Sequence, residues 1–200
     1  MDIFHVDIVT IVKSVGYTGL FLMIFAESGI FFLFFLPGGS LLFTAGLLAS
    51  QGLFNIWILI PILALAAVLG DSLGYWFGKK VGPKIFTKKD SLFFKKRHLD
   101  QTEEFYKKYG PRAVVFGRFV PVVRTFAPIL AGVASMKYRT FLHYNIIGAL
   151  LWAVGIALLG YGLGTKVPNI EQYIVPIILF IIFLSIVPIL FELFKKRKIL

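Results

Sequence analysis

Two arginines, Arg118 and Arg124, stand six residues apart in the segment FGRFVPVVRTFAP, inside an otherwise apolar run over 113–134. A guanidinium does not readily lose its proton. At the centre of a membrane helix it costs about 3 kcal/mol on insertion scales, so a negative group must compensate it. Two carboxylates occupy equally apolar surroundings: Glu27 in IFAESGIFFLFFLPGGS and Asp71 in VLGDSLGYW. Two readings follow from this set of four. Either they form a permanent ion-pair cluster, or the arginines hold an external phosphate or carboxylate bidentately while Glu27 and Asp71 neutralise the empty site. Carboxylates in such places also exchange protons, which makes both candidates for proton coupling.

Other motifs fail on context. The stretch Gly70-Asp71-Ser72-Leu73-Gly74 matches G-x-S-x-G. A nucleophile elbow needs a strand, a sharp turn and a helix, and this stretch lies in an apolar helical run. His5, His98 and His143 are scattered without metal-ligand spacing, and cysteine is absent, so no metal site is expected. No phosphate-cradling G-x-x-x-x-G-K-[ST] loop occurs, which leaves no basis for an ATP-driven mechanism within the chain. The expectation is a protein that is not an enzyme and needs no cofactor.

The elements that must position these charges belong in a bilayer. The chain is 58% hydrophobic and 16% charged, well outside the balance of soluble domains. Of its 21 Lys and Arg, eleven lie between Lys79 and Arg112 and four more are Lys195, Lys196, Arg197 and Lys198. Basic clusters that flank apolar spans fit the positive-inside rule rather than nucleic-acid binding. Asp2 and Asp7 precede the first apolar run, unlike the basic start of a cleaved signal peptide, so residue 1 is expected in the mature protein.

Apolar runs long enough to cross about 30 Å of hydrocarbon cover 16–36, 54–77, 113–134, 141–163 and 173–194. The first runs into Pro37-Gly38-Gly39, and the third is interrupted by Arg118, Pro121, Arg124 and Pro128. Unpaired backbone at such breaks is tolerated in hydrocarbon only where it is buried in protein or lines a wet cavity. Both segments are therefore expected to be re-entrant hairpins. A shift of 86 residues superposes Ala45-Gly46 on Ala131-Gly132, Gly74-Tyr75 on Gly160-Tyr161, and Gly78, Lys80 and Val81 on Gly164, Lys166 and Val167.

The expected fold is thus an all-α integral membrane domain built as an inverted repeat. Each unit is one re-entrant hairpin plus one transmembrane helix: repeat 1 about 16–82, a basic amphipathic connector over 83–112, repeat 2 about 113–168, and an additional C-terminal transmembrane helix over 173–194. Substrate sites in such folds lie near the midplane, between discontinuous helices. With the connector and the C-terminus both cytoplasmic, all the basic clusters fall on one side. Gly70, Gly74, Gly78 and Gly82 line one helix face, as close helix packing requires, within the chain or in a homodimer.

The segments FAESGIFFLFFLPGGSLLFTAGLLAS, GDSLGYWFGKKVG and FGRFVPVVRTFAPILAGVASM resemble the signature segments of the DedA family of bacterial inner-membrane proteins. The resemblance implies two facing re-entrant hairpins. It also implies transport of a phosphate-bearing lipid such as undecaprenyl phosphate or phosphatidylethanolamine, with Arg118 and Arg124 matching the family's essential arginines and Glu27 its essential glutamate. Gly39 stands where the family usually has an acidic residue directly after Pro-Gly. Proton coupling would then rest on Glu27 and Asp71, or transport would be downhill. Two further readings of the residues are a proton-coupled antiporter of small cations or cationic drugs, and a non-transporting membrane factor acting through the basic connector.

Overall fold

The computed structural model describes residues 8–30, 38–85, 109–119 and 121–167, and among these all regular structure is helical. Helix α1 (Ile8–Gly29) is bent at Gly16, whose φ of 59° an L side chain rarely adopts. Helix α2 (Gly38–Ser50) is short and almost wholly buried. Gly38 and Gly39 lie in its first turn rather than in a loop before it. Helix α3 (Ile56–Ile85) is capped by Asn55, whose Oδ1 accepts the Trp57 amide at 2.9 Å. The amide of Asn55 itself donates to the Tyr17 hydroxyl at 2.6 Å, tying the start of α3 to α1.

The second half of the chain begins with a 3-10 turn, Gly110–Arg112, and helix α4 (Ala113–Gly117). Arg118 and Phe119 then form a turn, and helix α5 (Pro121–Val133) follows with a proline in its first position, where the missing N–H has no partner to lose. Helix α6 (Tyr138–Ala149) passes through a π-helical turn, Leu150–Val154, into helix α7 (Gly155–Lys166).

Among the described residues two helical stretches are long and apolar enough to cross a membrane: Ile56–Val81, of 26 residues, and Tyr138–Lys166, of 29. At 1.5 Å per residue each exceeds the hydrocarbon thickness of about 30 Å.

One expectation is corrected. Pro128 does not break its segment, because α5 continues through it to Val133. A membrane helix can lose one backbone bond at a proline where its neighbours pack closely enough to keep it helical. The interruption falls instead between Gly117 and Pro121. Pro37, the connector residues 86–108 and the expected C-terminal span 173–194 lie outside the described residues.

The chain groups into two units. One takes α1 up to Ile24, α2, α3 up to Ala66 and the chain from Leu151; the other takes the end of α1 from Phe25 and the chain from Ala67 through Leu150. In the first, α2 lies on α7 at backbone contact. A Cβ on Gly46 would fall 1.9 Å from the Ala157 carbonyl, and one on Gly160 would fall 2.2 Å from that of Phe43. In the second, α3 meets α5 just as closely, with a Cβ on Gly78 falling 1.9 Å from the Ile129 carbonyl and one on Gly132 falling 2.0 Å from that of Tyr75. The glycine face of α3 is therefore used within the chain. Tyr75, Val114, Ala131 and Phe141 form a buried cluster beside this second crossing, with Tyr75 stacked on Phe141 at 4.6 Å.

Candidate functional site

Within the second unit the end of α1 and the middle of α3 cross at glycine. A Cβ on Gly29 would fall 2.8 Å from the Gly70 carbonyl, and one on Gly70 would fall 2.6 Å from that of Phe25. Glu27 and Asp71 stand beside these contact points, so the crossing holds both carboxylate-bearing backbones together. Both carboxylates are buried, at 6% and 2% exposure.

The arginines reach them from the interrupted segment. Arg118, in the turn between α4 and α5, is only 3% exposed, and its Nη2 donates to Asp71 Oδ2 in a buried ion pair. The same nitrogen donates to Asn145 Oδ1 at 2.5 Å and approaches the Ala67 carbonyl at 3.5 Å. The stem of Arg118 lies over Gly148, where an added Cβ would meet Arg118 Cδ at 2.8 Å. Its Nε and Nη1 are buried and have no hydrogen-bond acceptor among the described residues. Arg124, on α5, pairs with Glu27 at 3.0 Å and is somewhat more exposed, at 12%.

The four charges singled out in the sequence therefore come together, with Arg118 paired to Asp71 and Arg124 to Glu27. Formal charge cancels, which is the condition for burying ions at all, since a lone buried ion carries a desolvation cost of several kcal/mol. The break before Pro121 has a positional consequence: it places Arg118 off the axis of α5 and lets it reach α3 and α6 together. Of the other residues expected at hairpin breaks, Gly38 and Gly39 belong to the first unit, and the side chain of Pro121 lies outside the described set.

Sequence reasoning missed Asn145. It is fully buried on α6, with its Nδ2 donating to the Val68 carbonyl at 3.0 Å. An amide in the middle of the apolar run FLHYNIIGALLW was the available signal, because a polar group in a span needs a partner. Ser72 is no nucleophile in this arrangement. Its hydroxyl donates back to the Val68 carbonyl at 2.7 Å, inside an unbroken helix. No group of three or more potential metal ligands occurs among the described residues.

Comparison with known proteins agrees with this membrane reading. The VTT domain family matches residues 36–162. Protein DedA of Escherichia coli K12 is 39% identical over 98% of this chain and 92% of its own length. The chain belongs to the DedA family. Other members it resembles are an uncharacterized membrane protein of Mycobacterium leprae, 44% identical over 84% of this chain and 75% of that protein, and inner membrane protein YghB of Escherichia coli K12, 31% identical over 88% of this chain and 80% of that protein. No solved structure matches. As a DedA-family protein the chain is a membrane protein, and the two long apolar helices among its described residues are candidate membrane spans.

Proposed function

We propose that this protein is a flippase or scramblase for a phosphate-bearing lipid, such as a polyprenyl phosphate or phosphatidylethanolamine, in the bacterial inner membrane. Arg118 and Arg124 bind the phosphate while the lipid tail stays in the bilayer. The observation that carries this reading is the double, charge-balanced pair itself. Two guanidiniums matched by two carboxylates can exchange one carboxylate for a lipid phosphate without leaving a bare charge, and protonation of the displaced carboxylate would complete the exchange. Arg124–Glu27 is the more exposed of the two and the natural first pair to open.

The architecture that goes with it is the inverted repeat: two re-entrant hairpins, each followed by a span, with the basic connector and the C-terminus cytoplasmic. Glycine pairs at positions 86 residues apart support it, since Gly46 and Gly132 both sit at backbone contacts. No cofactor is part of the mechanism, and a homodimer is the proposed assembly.

The test is transbilayer movement of fluorescent lipids in proteoliposomes, comparing a polyprenyl phosphate, phosphatidylethanolamine and a neutral lipid. Wild type should move at least one phosphate lipid, and Arg118→Ala should abolish that movement. Arg124→Lys keeps the charge and loses the planar fork, so it should lose most of it as well. Movement of a cation, with all lipids unmoved, would replace this reading with proton-coupled antiport at Glu27 and Asp71.

A further inference from the structure

Every acceptor that the Arg118 side chain has among the described residues converges on a single nitrogen. Asp71 Oδ2, Asn145 Oδ1 and, at longer range, the Ala67 carbonyl all face Nη2, while Nε and Nη1 are buried with none. A guanidinium tied only to a carboxylate can swing about that one contact, and the second tie comes from Asn145. Its carbonyl takes Arg118 and its amide nitrogen donates to the Val68 carbonyl, three residues before Asp71 on α3. These two contacts allow one orientation of the amide. Turned over, it would set NH2 against guanidinium and carbonyl against carbonyl.

We infer that Asn145 is a positioning residue for Arg118: it holds Nη2 on α3 and keeps Nε and Nη1 directed to a phosphate oxygen. The inference rests on the lipid-phosphate reading above. It separates the two arginines by role. Arg118 is a fixed donor that stays paired while it binds the anion, and Arg124 is the one that exchanges partners.

Asn145→Asp supplies an internal test. A protonated carboxyl offers one acceptor and one O–H donor, the same pattern as the amide in place, so it can serve both Arg118 and Val68. Ionised, it has no donor for Val68 and adds a negative charge beside Asp71. The charged groups around it are Asp71 from α3, Arg118 from the turn, and the Arg124–Glu27 pair from α5 and α1. All are common to wild type and variant, so the ratio of their transport rates reports the added carboxyl together with its coupling to these groups.

Lipid movement should be measured for wild type, Asn145→Asp and Asn145→Leu from about pH 8 to about pH 5.5, with thermal melting of each in detergent as the folding control. The ratio for Asn145→Asp should rise by about tenfold on acidification, as for a group that must take up a proton to function. The ratio for Asn145→Leu should stay low and flat. Wild-type rates in Asn145→Leu, or an Asn145→Asp ratio as flat as that of Leu, would overturn the inference and leave Asn145 as a helix-to-helix tie. If wild type moves no lipid at all, the transport reading fails. The position of Asn145 is then decided by a melting cycle of Asn145→Leu with Arg118→Ala: additive shifts overturn it, and strong coupling upholds it.

Discussion

The two units use the same device to different ends. In each, a short helix, α2 or α5, lies against a long helical span so closely that glycine is the only residue fitting at the contact. Gly46 and Gly132 stand 86 residues apart, as do Gly78 and Gly164, and all four would place a Cβ within about 2 Å of a neighbour: 1.9, 2.0, 1.9 and 1.9 Å. Among the described residues the Arg118–Asp71 and Arg124–Glu27 pairs both lie in one of the two. The position 86 residues after Asp71 is Ala157, the one after Glu27 is Ala113, and the one 86 before Arg124 is Gly38. The crossing of α2 with α7 is an uncharged clasp, while the unit containing α5 adds two ion pairs and an amide. Close glycine packing is thus the scaffold, and charge is an addition that the scaffold must be rigid enough to hold.

The largest effect should come from unbalancing the charges. Asp71→Ala leaves the Arg118 guanidinium buried with only neutral acceptors, a change that costs about 3–5 kcal/mol when one partner of a buried pair is removed. Adding Arg118→Ala should recover a large part of that loss, because the unpaired ion disappears with its partner. Chemical unfolding of the two single variants and the double variant in detergent measures the coupling. Additive losses would mean that the pair contributes nothing as a pair, and the contrast between the units would reduce to packing.

Next in size are the glycines common to both crossings. Gly46→Ala and Gly132→Ala each drive a methyl group into a backbone carbonyl that no rotamer change can move. Overpacking of this kind costs about 1–3 kcal/mol and sometimes more. Melting temperatures of the two variants should fall by comparable amounts. Only Gly132→Ala should also impair transport beyond what its lost stability explains, since α5 carries Arg124 as well. Equal transport losses in both would show that the uncharged clasp takes part in the proposed transport cycle too.

How far these contrasts could be read in advance differs residue by residue. Glu27, Asp71, Arg118 and Arg124 stood out because a charge in an apolar run is too costly to be incidental. Which arginine takes which carboxylate could not be read, because the pairing depends on the crossing of Gly29 with Gly70 and on the turn at Arg118, neither of which has a local pattern. Asn145 was hidden by its neutrality: an amide lowers the apolar character of a run too little to draw attention, yet it fixes the geometry of the strongest charge. Pro128 misled for the opposite reason. A proline states that one backbone bond is missing, but whether the helix continues is settled by what packs around it.

A smaller difference lies in how the two short helices end. Both close with paired backbone bonds of the Schellman type. Gly52 and Leu53 donate to the carbonyls of Ala49 and Leu48 at 3.1 Å each, and Ser135 and Met136 donate to those of Gly132 and Ala131 at 3.0 Å each. The left-handed position is glycine in the first, at φ 82°, and serine in the second, at φ 54°. Ser135→Gly removes the Cβ penalty at the second cap and should stabilise it by about 0.5–1 kcal/mol, after allowing for the greater freedom of glycine in the unfolded chain. A rise in melting temperature with transport unchanged would show that the serine serves neither. A loss of transport with that rise would show that strain at this cap is used.

The smallest expected effect tests where the glycine scaffold stops. Gly162 lies in the interior of α7, two residues past the contact of Gly160 with Phe43, and a Cβ there would meet nothing within 4 Å. Gly162→Ala should therefore stabilise by up to about 1 kcal/mol, the helix propensity difference alone. That sign follows only if the face bearing Gly162 looks onto lipid. In a homodimer built on that face, the added methyl group would separate two closely packed helices, and the variant would lose both melting temperature and dimer fraction on size-exclusion chromatography. Stabilisation with the dimer intact places any subunit contact elsewhere and leaves the close-packed glycines to the crossings inside the chain.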